Sequence, residues 1–210
     1  MRNCFEYFYN NGYDLHVNLE DDSILGKDGL LWYEWANATF GSDDQCFAYC
    51  PFMPQNTKVN DRLLLEDITM SVKRLWFEAQ GGFGNNRQQY EYILSLGGLF
   101  GASFHNTPQS YGMPPEEWKR NVMMIHDQGA FDGPLSFYFL RDKHTISPFI
   151  SRAQNIGALE GTFNPSAEWH TREVLNKLWI DSDEYKDLDL TKIDYKIFSD
   201  PNHNMVKIRL

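Results

Sequence analysis

The spacing of hydrophobic residues divides the chain into three parts, of which residues 1–59 form the first. An aromatic run over 5–9 and an alternating run over 13–19 flank an Asn-Gly turn signal at residues 10–12, and this pattern predicts a β-hairpin. The apolar run Leu30–Trp35 fits a strand or a buried helix equally well, because a run this short has no diagnostic period. The first part is therefore predicted to be rich in strands and loops.

The second part, residues 60–180, is predicted to be mainly helical. Apolar residues between Leu64 and Ala79 recur at spacings of three and four, and Gly81-Gly82 ends this run, so we predict a helix over 62–80. Further helices are predicted over 86–96, 114–129, 148–157 and 164–178, with a strand over 134–140. A proline lies at the start of each of the last three helices, where its missing N–H costs nothing.

The third part, residues 190–210, alternates apolar and polar positions on both sides of a turn signal at 199–202. The alternating apolar residues are Ile193, Tyr195 and Ile197 before the turn and Val206, Ile208 and Leu210 after it. This pattern predicts a C-terminal β-hairpin. The expected fold class is α+β, with a helical middle of about five helices and β-hairpins near the N- and C-termini, in a single domain over 1–210.

The charge balance makes nucleic acid an unexpected direct ligand. The chain has 29 acidic and 19 basic residues, a net charge of −10, whereas a grip on phosphates depends on clustered Lys and Arg. The longest apolar stretch, 92–104, is shorter than the roughly 20 residues of a membrane-spanning helix. The N-terminus has no apolar signal-peptide core, so we expect a location in the cytoplasm or within a viral particle.

The cysteines exclude a disulfide framework, because three of them are too few and odd in number. Cys46 and Cys50 are four residues apart and could share one helical face, but a structural zinc site is built from two such pairs. Cys4 and His16 could complete a site in space, but nothing in the sequence argues for it. We therefore expect buried free thiols at Cys46 and Cys50, and no cofactor.

Two further motifs carry weak chemical signals. The glycine-rich stretch from Gly81 to Arg87 precedes a predicted helix, but it lacks the lysine and hydroxyl of a phosphate-binding loop, so a turn is expected. His170 and Glu173 lie three residues apart on a predicted helix and are weak candidates for metal ligands. Carboxylate metal centres use several helices of this kind, and the sequence offers one, so no metal is expected.

The chain between the last two predicted helices reads Glu160-Gly161-Thr162-Phe163-Asn164-Pro165-Ser166-Ala167. This segment resembles the surroundings of the catalytic acid in lytic transglycosylases, where a helix ends in Glu-Ser before an aromatic residue, Asn-Pro and a small residue. The resemblance implies a glycan-cleaving activity in which Glu160 protonates the glycosidic oxygen. Gly161 replaces the family's serine, and the family's downstream Gly-Leu-Met-Gln segment is absent.

The high aromatic content indicates the function that we expect, which is binding to other protein subunits. With 15 Phe, 11 Tyr and 6 Trp, some rings are expected to lie at interfaces as well as in the core. We therefore predict a non-enzymatic structural or interaction subunit of a homo- or hetero-oligomeric protein assembly, such as a virus or phage connector-type protein. The alternatives are a glycan-cleaving hydrolase acting through Glu160, and an acidic inhibitor of a basic nucleic-acid-binding protein that uses the segment 181–189.

Overall fold

The computed structural model describes residues 2–53, 68–74, 81–95, 143–157 and 179–198. In chain order, the elements are α1 Arg2–Asn10, β1 His16–Asn18, β2 Ser23–Leu25, α2 Gly29–Phe40, β3 Cys46–Tyr49, β4 Met70–Arg74, β5 Phe83–Asn85, α3 Arg87–Ser95, β6 His144–Pro148, β7 Ala153–Asn155 and β8 Lys196–Phe198. Two short 3-10 turns, Asp183–Tyr185 and Leu190–Lys192, precede β8. No helix of these described ranges is long and apolar enough to cross a membrane.

Six of the strands form one mixed sheet in the order β1-β5-β3-β6-β4-β8. β5 is antiparallel to β1 and β3, and β4 is antiparallel to β6. The β3–β6 and β4–β8 pairs are parallel. β2 and β7 form a separate antiparallel ribbon in which Ile24 lies opposite Gln154.

The hydrophobic core lies between α2 and the centre of the sheet. Trp32 and Tyr33 of α2 are fully buried and cluster with Tyr49 of β3 and Ile146 of β6. The buried indole of Trp32 donates a hydrogen bond to Ser71 Oγ at 3.0 Å, which satisfies its polar atom inside the core. This packing resolves the ambiguous run at 30–35 in favour of a buried helix.

The predicted fold class is wrong. The described residues contain three α-helices and eight strands, arranged as a mixed six-stranded sheet with a two-stranded ribbon, and no helical middle of five helices. Helices and strands are both present, but within the part predicted to be mainly helical the described residues 70–74, 83–85, 144–148 and 153–155 form strands.

The predicted N-terminal hairpin is wrong in its first arm, 5–9, which lies in helix α1, whereas its second arm, 13–19, contains strand β1, which pairs with β5. Gly12 has a φ of +80° and follows the helix end, where Asn11 Nδ2 donates to the Tyr7 carbonyl at 2.7 Å. An Asn-Gly pair supplies the left-handed conformation that a hairpin turn and a helix C-terminus both require. The turn signal was therefore correctly placed but assigned to the wrong element.

The predicted helix over 62–80 is contradicted at residues 70–74, which form β4. Met70, Ser71 and Val72 are all buried, because β4 lies inside the sheet between β6 and β8. Within β4 the apolar residues Met70 and Val72 alternate with Ser71 and Lys73, which is a strand pattern. Only Val72 belongs to the longer apolar series at helical spacing, so that series concealed the short strand.

The predicted helix over 148–157 is also wrong. Pro148 ends β6 opposite Ser71 of β4, and Ala153–Asn155 form β7. The backbone N–H groups of Phe149 and Arg152 donate to Met70 and Pro51, so they are used in long-range contacts rather than in a helix. Proline is tolerated at a strand end as well as in a first helical turn.

Other predictions are confirmed or lie outside the described residues. The helix over 86–96 is confirmed as α3, and most of the acidic segment 181–189 is exposed. β8 matches the first half of the C-terminal hairpin but pairs with β4, and 199–210 lie outside the described residues. The helices at 114–129 and 164–178 and the strand at 134–140 lie outside as well.

Candidate functional site

The residues that the sequence singled out for catalysis or metal binding lie outside the described residues. They are Glu160, His170 and Glu173. The resemblance to lytic transglycosylases and the weak metal pair therefore stay predictions.

The two neighbouring cysteines are buried free thiols, as predicted. They lie at and just after β3 rather than on a helix, so the expected shared helical face does not exist. Burial, with smaller contributions from Asp43 and Cys50, raises the pKa of the Cys46 thiol well above its usual value. In the described part of the chain, no three His, Cys, Asp or Glu side chains could together hold a metal ion.

A histidine–carboxylate pair that the sequence did not indicate lies beside Cys46. His144 is the cross-strand partner of Cys46, and its Nε2 lies 3.4 Å from Asp43 Oδ2. Burial, followed by the charge of Lys73, lowers the pKa of His144 to about 4, although Asp43 opposes this shift. At neutral pH the imidazole is neutral and the thiol is protonated, so this group holds no thiolate nucleophile.

An open pocket of about 420 Å³ lies where the C-terminal ends of α1 and α2 meet the N-terminal end of α3. Tyr9 and Tyr13 line one part of it, and Asn37, Asn86 and Gln88 line another. The pocket therefore combines aromatic rings with carboxamides.

A hydrogen-bond network fixes the carboxamides at the base of this pocket. Asn86 Oδ1 accepts from the Gln89 N–H at 3.0 Å, and Gln89 Oε1 accepts from the Asn86 N–H at 2.9 Å. This reciprocal pair is a capping box at the start of α3. Asn86 Nδ2 also donates to the Gly41 carbonyl at 2.8 Å and to Asn37 Oδ1 at 3.3 Å, so it ties α3 to the end of α2.

The charged groups of the pocket are at its rim. Asp14 is exposed, and Arg87 pairs with Glu91 one turn further along α3, with 3.0 Å between Nε and Oε1. The side chains of this ion pair are 65% and 62% exposed. The pocket consequently holds no buried charge.

A group of contacting aromatic rings, Tyr7, Phe8 and Tyr13, adjoins the pocket and shares Tyr13 with it; we call this group the tyrosine surface. The Phe8 ring centroid is 6.0 Å from that of Tyr7 and 5.4 Å from that of Tyr13. Tyr7 is 63% exposed and Tyr13 is 55% exposed. The buried His16 ring also contacts the Phe8 ring, with 5.1 Å between the two ring centroids.

Sequence reasoning missed both the pocket and the tyrosine surface. The Asn-x-x-Gln spacing of Asn86 and Gln89 is a capping signal that the sequence does carry. Nothing comparable marks Tyr7 and Tyr13, because their exposure depends on how α1 packs.

The sequence was compared with models of known protein families and with curated proteins, and neither comparison finds a match.

Proposed function

We propose that this protein is a non-enzymatic interaction subunit that binds another protein through the tyrosine surface. The observation that carries the proposal is that two largely exposed tyrosine rings, Tyr7 and Tyr13, both pack against Phe8. Rings that are already held in place lose little conformational entropy when they are covered. Tyrosine is also one of the residues that most often dominate binding energy at protein interfaces.

The charge around the tyrosine surface supports a basic partner. Glu6 and Asp14 adjoin the two exposed tyrosines and are themselves exposed, and the whole chain carries a net charge of −10. A second copy of the chain would bring like charges together. We therefore favour a different protein, with an apolar patch surrounded by Lys and Arg, as the other subunit of the assembly. A viral or phage particle is one setting in which such a subunit would act.

Site-specific photo-cross-linking tests this proposal in cells that produce the protein. A photoreactive phenylalanine analogue replaces Tyr7 in one variant and Ile24 in a second, matched variant. Ile24 is 45% exposed and lies on the β2–β7 ribbon, outside the tyrosine surface. We expect a discrete protein adduct from position 7 and none from position 24.

The outcomes separate the versions of the proposal. An adduct at position 7 with a basic protein supports it as stated. An adduct of twice the monomer mass makes the partner a second copy and overturns the choice of a basic partner. Equal labelling at both positions, or none at position 7, overturns the tyrosine surface as an interface.

A further inference from the structure

We propose that the pocket binds a neutral sugar unit, either as a free saccharide or as part of a glycan. The pocket's volume of about 420 Å³ lies within the range of roughly 300–1,000 Å³ typical of small-molecule sites. Tyr13, which is 55% exposed, provides aromatic surface for the C–H face of a sugar ring, and the buried Tyr9 forms part of the wall. This inference does not depend on the proposed protein partner.

The hydrogen-bond network leaves donors of defined orientation in the pocket. Gln89 Nε2 donates to Tyr49 Oη at 3.1 Å, so the hydroxyl hydrogen of Tyr49 is directed to Asn37 Oδ1, 3.0 Å away. Asn86 Nδ2 donates to the same oxygen. These two hydrogen bonds to Oδ1 fix the orientation of the Asn37 carboxamide. Its Nδ2 hydrogens have no partner among the described residues. They remain available to a ligand.

Acceptors are available as well as donors. The Gln88 carboxamide lines the pocket, is exposed, and offers both a donor and an acceptor. The Ser42 hydroxyl, at the rim, can also donate and accept a hydrogen bond. A sugar hydroxyl both donates and accepts, so it matches this mixture better than a ligand that can only accept or only donate.

The charges at the rim argue against ionic ligands. An anion would gain from the N-terminal end of α3, but it would meet Asp14, and the guanidinium of Arg87 is already paired with Glu91. A cation could use Asp14 and the acceptors of Gln88 and Ser42, but the Nδ2 hydrogens of Asn37 would then face a positive charge. A neutral polyhydroxyl ligand uses the donors and the acceptors alike.

Nuclear magnetic resonance titration of the full chain tests the proposal directly. The probes are glucose, cellobiose and N,N′-diacetylchitobiose, with inorganic phosphate and free arginine as ionic counter-probes. We expect saturable shifts at Asn37, Asn86 and Gln88 with at least one sugar and none with phosphate or arginine. Affinity that grows from glucose to the disaccharides indicates a glycan, whereas equal affinity indicates a free saccharide.

Two variants assign the binding to the pocket. Gln88→Ala removes an exposed side chain and should raise the dissociation constant about 3- to 10-fold, the value of one or two hydrogen bonds. Asn37→Asp keeps the oxygen that Tyr49 and Asn86 use but removes the Nδ2 donors, and it should abolish binding. Tyr7→Ser, outside the pocket, should leave sugar binding unchanged.

Three results would overturn the sugar site. They are saturable binding of phosphate or arginine at these residues, no saturable shift with any of the three sugars, and sugar binding that Asn37→Asp and Gln88→Ala leave unaltered. The pocket and the tyrosine surface share Tyr13, but Tyr7 lies outside the pocket and Gln88 lies outside the tyrosine surface, so Tyr7→Ser and Gln88→Ala distinguish loss of the protein interface from loss of the sugar site.

Discussion

Arg152 and Asp28 form an ion pair whose side chains are both completely buried, with 3.2 Å between Nε and Oδ2. Arg152 also donates to the carbonyls of Ile150 and Ile68, and Tyr195 Oη donates to Asp28 Oδ2 at 2.8 Å. The buried Arg152 side chain therefore connects the residues that lie just before α2, β4, β7 and β8. Segments that are distant in sequence depend on a single charged group.

Removing Arg152 should destabilise the protein strongly, because the Asp28 carboxylate would stay buried without its cation. We expect Arg152→Met to lower the free energy of unfolding by about 3–5 kcal/mol. The matched control is Arg87→Met, which breaks the exposed pair with Glu91 and should cost less than about 1 kcal/mol. Urea unfolding of both variants measures the difference, and similar costs would show that the buried pair does not stabilise the fold.

His144 should make the protein less stable in acid. Its pKa of about 4 lies below the usual 6.5, so the unfolded chain binds a proton that the folded protein excludes. This contribution to stability is complete above pH 6.5 and is lost as the pH falls through 4, by roughly 2–3 kcal/mol. Asp43, Lys73 and Lys143 are the charged groups that face the imidazole.

The variant His144→Gln isolates this effect. Its free energy of unfolding should fall less than that of the wild type between pH 6.5 and pH 4, when both are measured by urea unfolding at each pH. If the two proteins show the same pH dependence, His144 is not held neutral by its surroundings.

Gly82 and Gly12 should respond differently to alanine, although both have positive φ angles, +90° and +80°. A Cβ on Gly82 would lie 2.2 Å from the backbone oxygen of Asn18, whereas a Cβ on Gly12 meets nothing within 4 Å. Gly12→Ala should cost only the backbone strain of about 1–2 kcal/mol. Gly82→Ala should cost more, since β1 must also move. Equal losses in thermal or urea unfolding would contradict this contact.

The sequence predicted elements that depend on local residues better than elements that depend on pairing with distant strands. The α3 helix was predicted from its own stretch of sequence, and the structure shows that Asn86 caps it. β4 was missed because its state depends on β6 and β8, which lie far away in the chain. The Asn-Gly signal near Gly12 was real, but only the packing of α1 decides between a helix end and a hairpin.

The candidate sites were less predictable than the fold. Exposure of Tyr7 and Tyr13 and convergence of Asn37 with Asn86 arise from tertiary packing, which a single sequence does not encode in any local period. The buried Arg152 gave no signal either, because arginine is rarely fully buried and its partner Asp28 is distant in the chain.

The Asn86 side chain should stabilise the N-terminal end of α3 more than any other side chain there. Asn86→Ala removes the cap and two hydrogen bonds to the end of α2, and it should lower the free energy of unfolding by about 2 kcal/mol. Asn86→Asp keeps the capping oxygen and should retain protection of the Gln89 amide in hydrogen exchange. If Asn86→Ala retained the same protection as Asn86→Asp, the cap would not hold the helix.

The measurement that tests the proposed interface most directly is the affinity for the protein cross-linked at position 7. Binding by wild type, Tyr7→Ser/Tyr13→Ser and Ile24→Ser would be followed across a salt series. We predict that the tyrosine variant binds at least about 30-fold more weakly, as for loss of an interface hot spot, and that wild-type affinity falls with salt. Ile24→Ser should match the wild type. A tyrosine variant that binds within twofold of the wild type would contradict the account.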